Sequence, residues 1–485
     1  MLSKFKPALF FLILFVSLCC SQVHASSIFS SAQQTDPDPV GFVIFWVSCI
    51  FAFGVAGRYI AKRFDQPGVL GELLAGVLIG NLFYQWGVHL FVILREGPSV
   101  FTILSHVLEG QTLEQSVHQT ILQPQYADKL IDVLKSYTGI EYIKVGYILD
   151  VFSRYGAIFL LFMVGLESSF HELRRTGREA VQVAVLGVIA PIILGYFVAL
   201  YLVPDTSSQT ALFVAATLSA TSIGITARVL SDMKKLQTRE AKTILGAAML
   251  DDVLGLVILA IVSEIVVEGH LAWGLVFHII VSALLFFGGA LWLGPWFLRK
   301  AIWAFRSFAL WEAKLFVSLL FMMLLSWLAT EVNLAAIIGA FTAGLIIHDG
   351  YFEGEHTKHR LNIRELIAPF EAILAPLFFI LIGIQVKLET FANWQVLIVA
   401  LGLIVAAIIG KLICGWGANP KDDRWLVGIG MIPRGEVGLV FASIGRSLGV
   451  ISDALFSAII LMIIVTTILA PVLLKRRFLY REKLA

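Results

Sequence analysis

From residue 40 to about residue 475 the chain is a succession of apolar runs, each of roughly helix length and each closed by charges or turn residues. Thirteen can be counted, at roughly 40–61, 69–90, 148–167, 179–203, 209–230, 241–267, 271–298, 312–330, 334–348, 373–388, 395–417, 424–447 and 453–474. About 20 apolar residues let an α-helix cross ~30 Å of hydrocarbon. Only helices and closed barrels satisfy every backbone polar group at that depth. Composition agrees, with 58% of residues apolar and 14% charged, against about 25% charged in soluble domains. Mean hydropathy is +0.87. Too few charges remain to coat a soluble protein of 485 residues. The expected fold class is an all-α polytopic membrane protein of about thirteen transmembrane helices, forming one transmembrane domain over 40–475.

Cationic residues orient it. Lys4 and Lys6 precede a short apolar run from Ala8 to Leu18, and Val23-His24-Ala25 supplies a small-residue cleavage site. Residues 1–25 therefore read as a signal peptide. Its removal puts the new N-terminus outside, and thirteen crossings bring the C-terminus into the cytoplasm. Under this layout the inside loops hold 25 Lys and Arg residues, from Arg58 to Lys483, against about seven on the other side. That asymmetry is the positive-inside pattern.

The polar stretch within 91–147 falls outside. Its periodicity suggests short amphipathic helices lying on the membrane surface or capping the protein. Four cysteines (Cys19, Cys20, Cys49, Cys414) show no metal spacing, and nothing calls for a cofactor or a nucleic-acid partner. About ten residues follow the last run, so no cytoplasmic ligand-sensing domain is expected.

Against this apolar background, Asp251 and Asp252 stand side by side in ILGAAMLDDVLGLVILAIV. A charge at bilayer depth costs at least about 2.5–3.5 kcal/mol, which makes an intramembrane carboxylate a functional candidate. The pair lies about ten residues into its run, roughly 15 Å from the end at 1.5 Å per residue. Neighbours on a helix point about 100° apart, so the two carboxylates serve different partners. Like charges this close resist joint ionisation, which favours proton exchange.

Three further interruptions accompany the pair. The fifth run is punctuated by Thr217, Ser219, Thr221, Ser222, Gly224 and Thr226, and the twelfth by Pro433, Arg434, Gly435 and Glu436. Pro removes a backbone hydrogen bond and Gly weakens a helix, so both runs are candidates for broken helices. Two interrupted segments in corresponding halves point to a midplane transport site. Arg434 and Glu436 are a structural charge pair at the second break. The eleventh run carries Lys411 with no acid in its own helix, so its partner is either an aspartate of the sixth run or water reached by snorkelling. Glu72, Glu167, Glu371 and Lys387 lie near run ends, where interfacial solvation accounts for them.

In this order, the Thr-Ser run, the Asp-Asp run, the Gly410-Lys411 run and the Pro-Arg-Gly-Glu run resemble bacterial sodium/proton antiporters of the NapA and NhaA type. These belong to the monovalent cation:proton antiporter superfamily. Residues 66–76 (QPGVLGELLAG) and 156–167 are similar to the early helices of that family, and the resemblance spans about 40–475. It implies a homodimer in the bacterial inner membrane that carries Na+ (or K+ or Li+) against H+. Runs 4–6 and 11–13 would form a mobile core by inverted repeat, runs 1–3 and 8–10 a dimerisation domain, with the seventh as linker. By position, Asp252 resembles the ion-binding carboxylate, and Asp251 the residue that makes a switchable salt bridge with Lys411. Thr221 and Ser222 fall where the broken helices would cross. The 91–147 stretch is longer than the usual connection in that family.

Rival readings explain less. Glutathione-gated potassium efflux systems of the same superfamily typically carry Gln-Asp at this place, although potassium as the exchanged ion stays open. An intramembrane aspartyl protease needs its two aspartates on separate helices, one of them in a Gly-x-Gly-Asp setting that this chain lacks. A bile-acid-type sodium symporter shares crossing helices but does not call for the Asp-Asp and Lys combination. An exchanger rather than an enzyme is expected.

Overall fold

The computed structural model of the chain describes residues 39–482, apart from 65, 98, 122–123, 137, 168–176, 205, 223–225, 227–228, 231–232, 234, 236–237, 269–272, 306, 333, 353–361 and 435. The expected signal peptide at 1–25 lies outside the described residues. Among those described, every regular element is helical. The α-helices are α1 (Pro39–Arg63), α2 (Gly68–Gln85), α3 (His89–Glu96), α4 (Ser99–Leu108), α5 (Leu113–Thr120), α6 (Pro124–Lys135), α7 (Gly139–Glu167), α8 (Arg178–Leu202) and α9 (Ser208–Ser219). They continue as α10 (Arg239–Glu268), α11 (Trp273–Ala304), α12 (Leu310–Glu331), α13 (Ala336–Ile346), α14 (Ile363–Ile384), α15 (Trp394–Cys414), α16 (Arg424–Gly430), α17 (Glu436–Ser447) and α18 (Asp453–Glu482).

Each apolar run contains helix. Among the described residues, eight helices are long and apolar enough to cross a membrane: α1, α2, α7, α8, α12, α14, α15 and α18. Their ends follow from local chemistry. Ser207, Asn393 and Asp423 accept backbone N–H groups at the starts of α9, α15 and α16, filling the valence that the first turn of a helix leaves open. The second run stops at Gln85 because Gly87 takes the left-handed conformation (φ +73°) and turns the chain into α3.

By compactness the chain divides into two units, 1–156 with 373–388, and 157–372 with 389–485. In the first unit, α1 and α2 meet backbone to backbone. A Cβ on Gly57 or Gly71 would lie 2.3 or 2.1 Å from the other residue's carbonyl oxygen. Trp46, Ile50, Phe83, Leu90, Phe91, Ile380 and Ile384 fill its core. A smaller core of Val92, Ile93, Val100, Ile103, Val117, Tyr126 and Leu130 ties α3–α6 together. A capping box between Thr112 and Gln115 starts α5. Glu114 pairs with Lys135, whose hydrogen bond holds that carboxyl below the ordinary carboxylate range.

Three expectations change here. α7 begins at Gly139 rather than 148, so the end of the 91–147 stretch is the first turns of a spanning helix. α3 is no surface helix, because every residue from Leu90 to Glu96 is buried, including Arg95 and Glu96. The interfacial reading of Glu72 and Lys387 also fails. Glu72 is buried and paired with Arg58, and Lys387 is buried with its Nζ 2.9 Å from Glu96. The Lys387 ammonium also sits 4.0 Å from the centre of the Tyr126 ring. These ends look solvated in a hydropathy profile because their partners lie elsewhere in the chain.

The second unit holds α8–α13 and α15–α18, with the end of α7 and the start of α14. In it α8 packs on α9, α10 and α15, and α15 packs on α18. α9 and α10 both touch α17. This cluster carries the polar interruptions of the fifth, sixth, eleventh and twelfth runs.

Candidate functional site

The fifth and twelfth runs are both broken. α9 ends at Ser219, and Ala220, Thr221 and Ser222 follow as buried, non-helical residues. α16 ends at Gly430, and Ile432, Pro433 and Arg434 run without helical structure to α17. Pro433 has no N–H to donate, which makes a continuous helix here unfavourable. The backbone groups freed on each side are satisfied by the other. Ser222 N–H donates to the Pro433 carbonyl at 2.9 Å, and Thr226 Oγ1 to the Gly430 carbonyl at 2.7 Å. Thr221 Oγ1 reaches the Met431 carbonyl at 3.4 Å. The buried Arg434 guanidinium donates to the Ala220 carbonyl, and Thr467 Oγ1 on α18 donates to the Arg434 carbonyl. Non-helical backbone at membrane depth is tolerated where protein or a cavity satisfies it, and here the two breaks satisfy one another.

α10 brings the acidic pair to the same unit. The Asp251 carboxylate is fully buried, and Lys411 Nζ lies 3.2 and 3.1 Å from its two oxygens. Lys411 is itself fully buried near the end of α15, so the snorkelling alternative is excluded. Asp252 is the next residue of α10, a third of a turn further round. The side chains of Asp252 and Glu436 lie outside the described residues. Glu436 is the first residue of α17.

One close approach and one hydrogen bond seat the lysine. A Cβ on Gly410 would meet Pro191 of α8 at 2.8–2.9 Å, so only glycine permits this crossing of α8 and α15. Pro191 also leaves the Gly187 carbonyl, four residues back, without its intrahelical donor. Cys414, one turn after Lys411, is a free buried thiol that donates to the Lys411 carbonyl at 2.8 Å.

The buried ion pair is chemically informative. Desolvating two charges costs several kcal/mol per ion, so an apolar pair of equal volume often gives equal or greater stability. A buried Lys–Asp pair is therefore weak evidence of added stability here. Sequence reasoning missed Thr467 and Gly187. Thr466-Thr467 is a visible polar step in an otherwise apolar run, whereas Gly187 carries no mark beyond its small size.

The family described as sodium/hydrogen exchanger, transmembrane, matches residues 49–478, nearly the whole described chain and all of the site. The chain belongs to the sodium/hydrogen exchanger family. It is thus a multi-pass membrane transporter that exchanges a cation for protons, and not an enzyme. The high-affinity Na(+)/H(+) antiporter NhaS3 of Synechocystis sp. is 34% identical over 451 residues, covering 90% of each chain. The Na(+)/H(+)-K(+) antiporter GerN of Bacillus cereus is 31% identical over 433 residues, covering 87% of this chain and 93% of its own. The fold matches that of the sodium proton antiporter MjNhaP1 of Methanocaldococcus jannaschii with a TM-score of 0.54 at 18% identity, over 90% of this chain and 97% of that one.

Proposed function

We propose that this exchanger moves Na+ against H+ by alternating access. Asp252 is the carboxylate that takes the ion, and Asp251 with Lys411 is the proton-linked pair. The observation that carries this reading is the fully buried Lys411–Asp251 contact one residue from Asp252. A site that holds either a cation or protons, never both, couples the two flows by competition. Cation binding at Asp252 releases Lys411 from Asp251, and the lysine gives up its proton. Protonation from the opposite side restores the pair and expels the ion. Thr221 and Ser222, with the carbonyls of the two breaks, line the place where a dehydrated cation needs oxygen partners. Arg434 and Glu436 hold the second break.

In this scheme α8–α10 and α15–α18 move as a core of inverted repeats, and two copies of the chain associate through their other helices. The protein sits in a bacterial inner membrane, with its N-terminus outside after signal cleavage and its C-terminus in the cytoplasm. A titrating lysine beside two aspartates favours more protons than cations per cycle, so transport is electrogenic. The names of the Synechocystis and Bacillus relatives support sodium, and the second also names potassium, which makes K+/H+ exchange the second reading.

Proteoliposome exchange tests both. Wild type is expected to move protons in response to an imposed Na+ gradient, and Asp252→Asn to abolish the response. Unaltered exchange in Asp252→Asn overturns the assignment. A response to K+ equal to that to Na+ favours the second reading. Exchange insensitive to a clamped membrane voltage overturns electrogenicity.

A further inference from the structure

α15 carries an aromatic marker at each end. Trp394, at its start, is 72% exposed, and Trp416, just past its end, is 60% exposed. The 22 residue steps from one to the other span about 33 Å of helix rise, close to the ~30 Å of a hydrocarbon core. Exposed tryptophans at that spacing belong at the two membrane–water interfaces. Between them Leu401, Val405 and Ile409, at successive four-residue steps, form an exposed apolar stripe on one face of the helix.

That stripe leads into a cavity of about 210 Å³ lined by Ile409, Leu412, Ile413, Trp416, Arg424 and Trp425. The cavity is smaller than the ~300–1,000 Å³ usual for a drug-sized ligand, and Trp425 beside it is 57% exposed. Its floor is rigid. A Cβ on Gly415 would lie 2.0 Å from the Arg424 carbonyl, and one on Gly428 would lie 2.9 Å from the Leu412 backbone. α15 and α16 are therefore in main-chain contact there.

The charge at this cavity is one-sided. Arg424 Nε is buried and has no hydrogen-bond partner among the described residues. The neighbouring acids are engaged elsewhere. Asp423 caps α16 through Leu426 N–H and pairs with Arg477 at 2.8 and 3.1 Å, while Asp422 faces Arg239 at 3.6 Å. Lys421, three residues before Arg424, is exposed and does not line the cavity.

From the apolar stripe, the paired tryptophans and the uncompensated guanidinium, we propose that this cavity binds an anionic phospholipid of the surrounding leaflet. Its phosphate faces Arg424 and one acyl chain lies along Leu401, Val405 and Ile409. Basic pockets between transmembrane helices at the interface are suited to such headgroups, and tryptophans at headgroup level fix the depth. The occupant touches Leu412 and Ile413, next to Lys411, and the start of the broken twelfth run.

The test is thermal unfolding of the full-length protein in phosphatidylcholine-containing micelles, with added phosphatidylglycerol, further phosphatidylcholine or inorganic phosphate. Phosphatidylglycerol is expected to raise the midpoint of wild type by about 2–4 °C, and the other two additions to leave it unchanged. Arg424→Gln is expected to lose more than half of that rise, and Lys421→Gln to keep it. No rise in wild type, an equal rise with free phosphate, a full rise in Arg424→Gln, or equal losses in both variants each overturn the proposal. Should Arg424→Gln not fold, native mass spectrometry of Trp425→Ala replaces it. That variant is expected to retain less bound phosphatidylglycerol than wild type, and equal retention overturns the proposal.

Discussion

Gly187 borders the Lys411 ammonium so closely that a Cβ there would lie 3.4 Å from Nζ and 3.4 Å from Cys414 Cβ. The space is just sufficient for the side chain that closes on Asp251. Gly187→Val places two methyl carbons beyond that Cβ and displaces the ammonium. Exchange by Gly187→Val in proteoliposomes is expected to fall by at least about tenfold, equivalent to ~1.4 kcal/mol on the barrier. Gly288→Ala, at a position with nothing within 4 Å of a Cβ, serves as the control with wild-type rates. An unimpaired Gly187→Val sinks the idea that this space matters.

Removing one member of the Lys411–Asp251 pair leaves a buried charge alone. Lys411→Ala and Asp251→Ala are each expected to destabilise the protein by about 3–5 kcal/mol. The double variant is expected to cost clearly less than the sum, because the stranded charge is gone. Unfolding midpoints in detergent for the four proteins complete the cycle. Additive losses mean that the two side chains do not depend on one another.

Competition between cation and protons fixes the sign of the pH effect. Protons occupy the site as pH falls, so the Na+ concentration for half-maximal exchange rises on acidification. Where the site titrates, the change is about tenfold per pH unit for each competing proton. Exchange measured across pH 6–9 at varied Na+ reads the slope directly. A half-maximal concentration constant with pH contradicts a shared site.

Glu96 and Lys387 form a second buried pair, in the unit that does not hold the ion site. Glu96→Gln is expected to lower stability by about 3–5 kcal/mol by removing the carboxylate that faces Lys387, and Glu96→Gln with Lys387→Met to restore most of it. Thermal unfolding of the single and double variants checks this. Wild-type stability in Glu96→Gln alone shows that the pair bears no load.

The helical architecture and the breaks were legible because each has a local cause. Apolar runs mark helices, and Pro433 forbids a regular hydrogen bond wherever it sits. The acids of α10 were conspicuous because nothing around them is polar. Sequence was silent where a charge finds its partner far along the chain. Lys387 and Glu96 are 291 residues apart, and each sits at the edge of an apolar run where water is the default partner. The true start of α7 was hidden for a related reason. Glu141 and Lys144 dilute its first turns, and only the second core beneath α3–α6 shows that this region is packed. Lys411 was visible as a lone cation, but its depth depends on Gly410 meeting Pro191, a contact no single-run pattern reveals.

The mutual satisfaction of the two breaks has a consequence for biosynthesis. The bonds joining them connect residues 204 to 214 positions apart. At a synthesis rate of ~5–20 residues per second, about 10–40 s pass between emergence of the first break and of its counterpart. During that interval the fifth run stands in the translocon or the bilayer with the Ser222 N–H, the Thr221 and Thr226 hydroxyls and the Ala220 carbonyl open. The nascent chain must shelter them with water or with α8 and α10 until residues 430–434 arrive. Assembly of the transporter is thus timed by the ribosome as well as by the membrane.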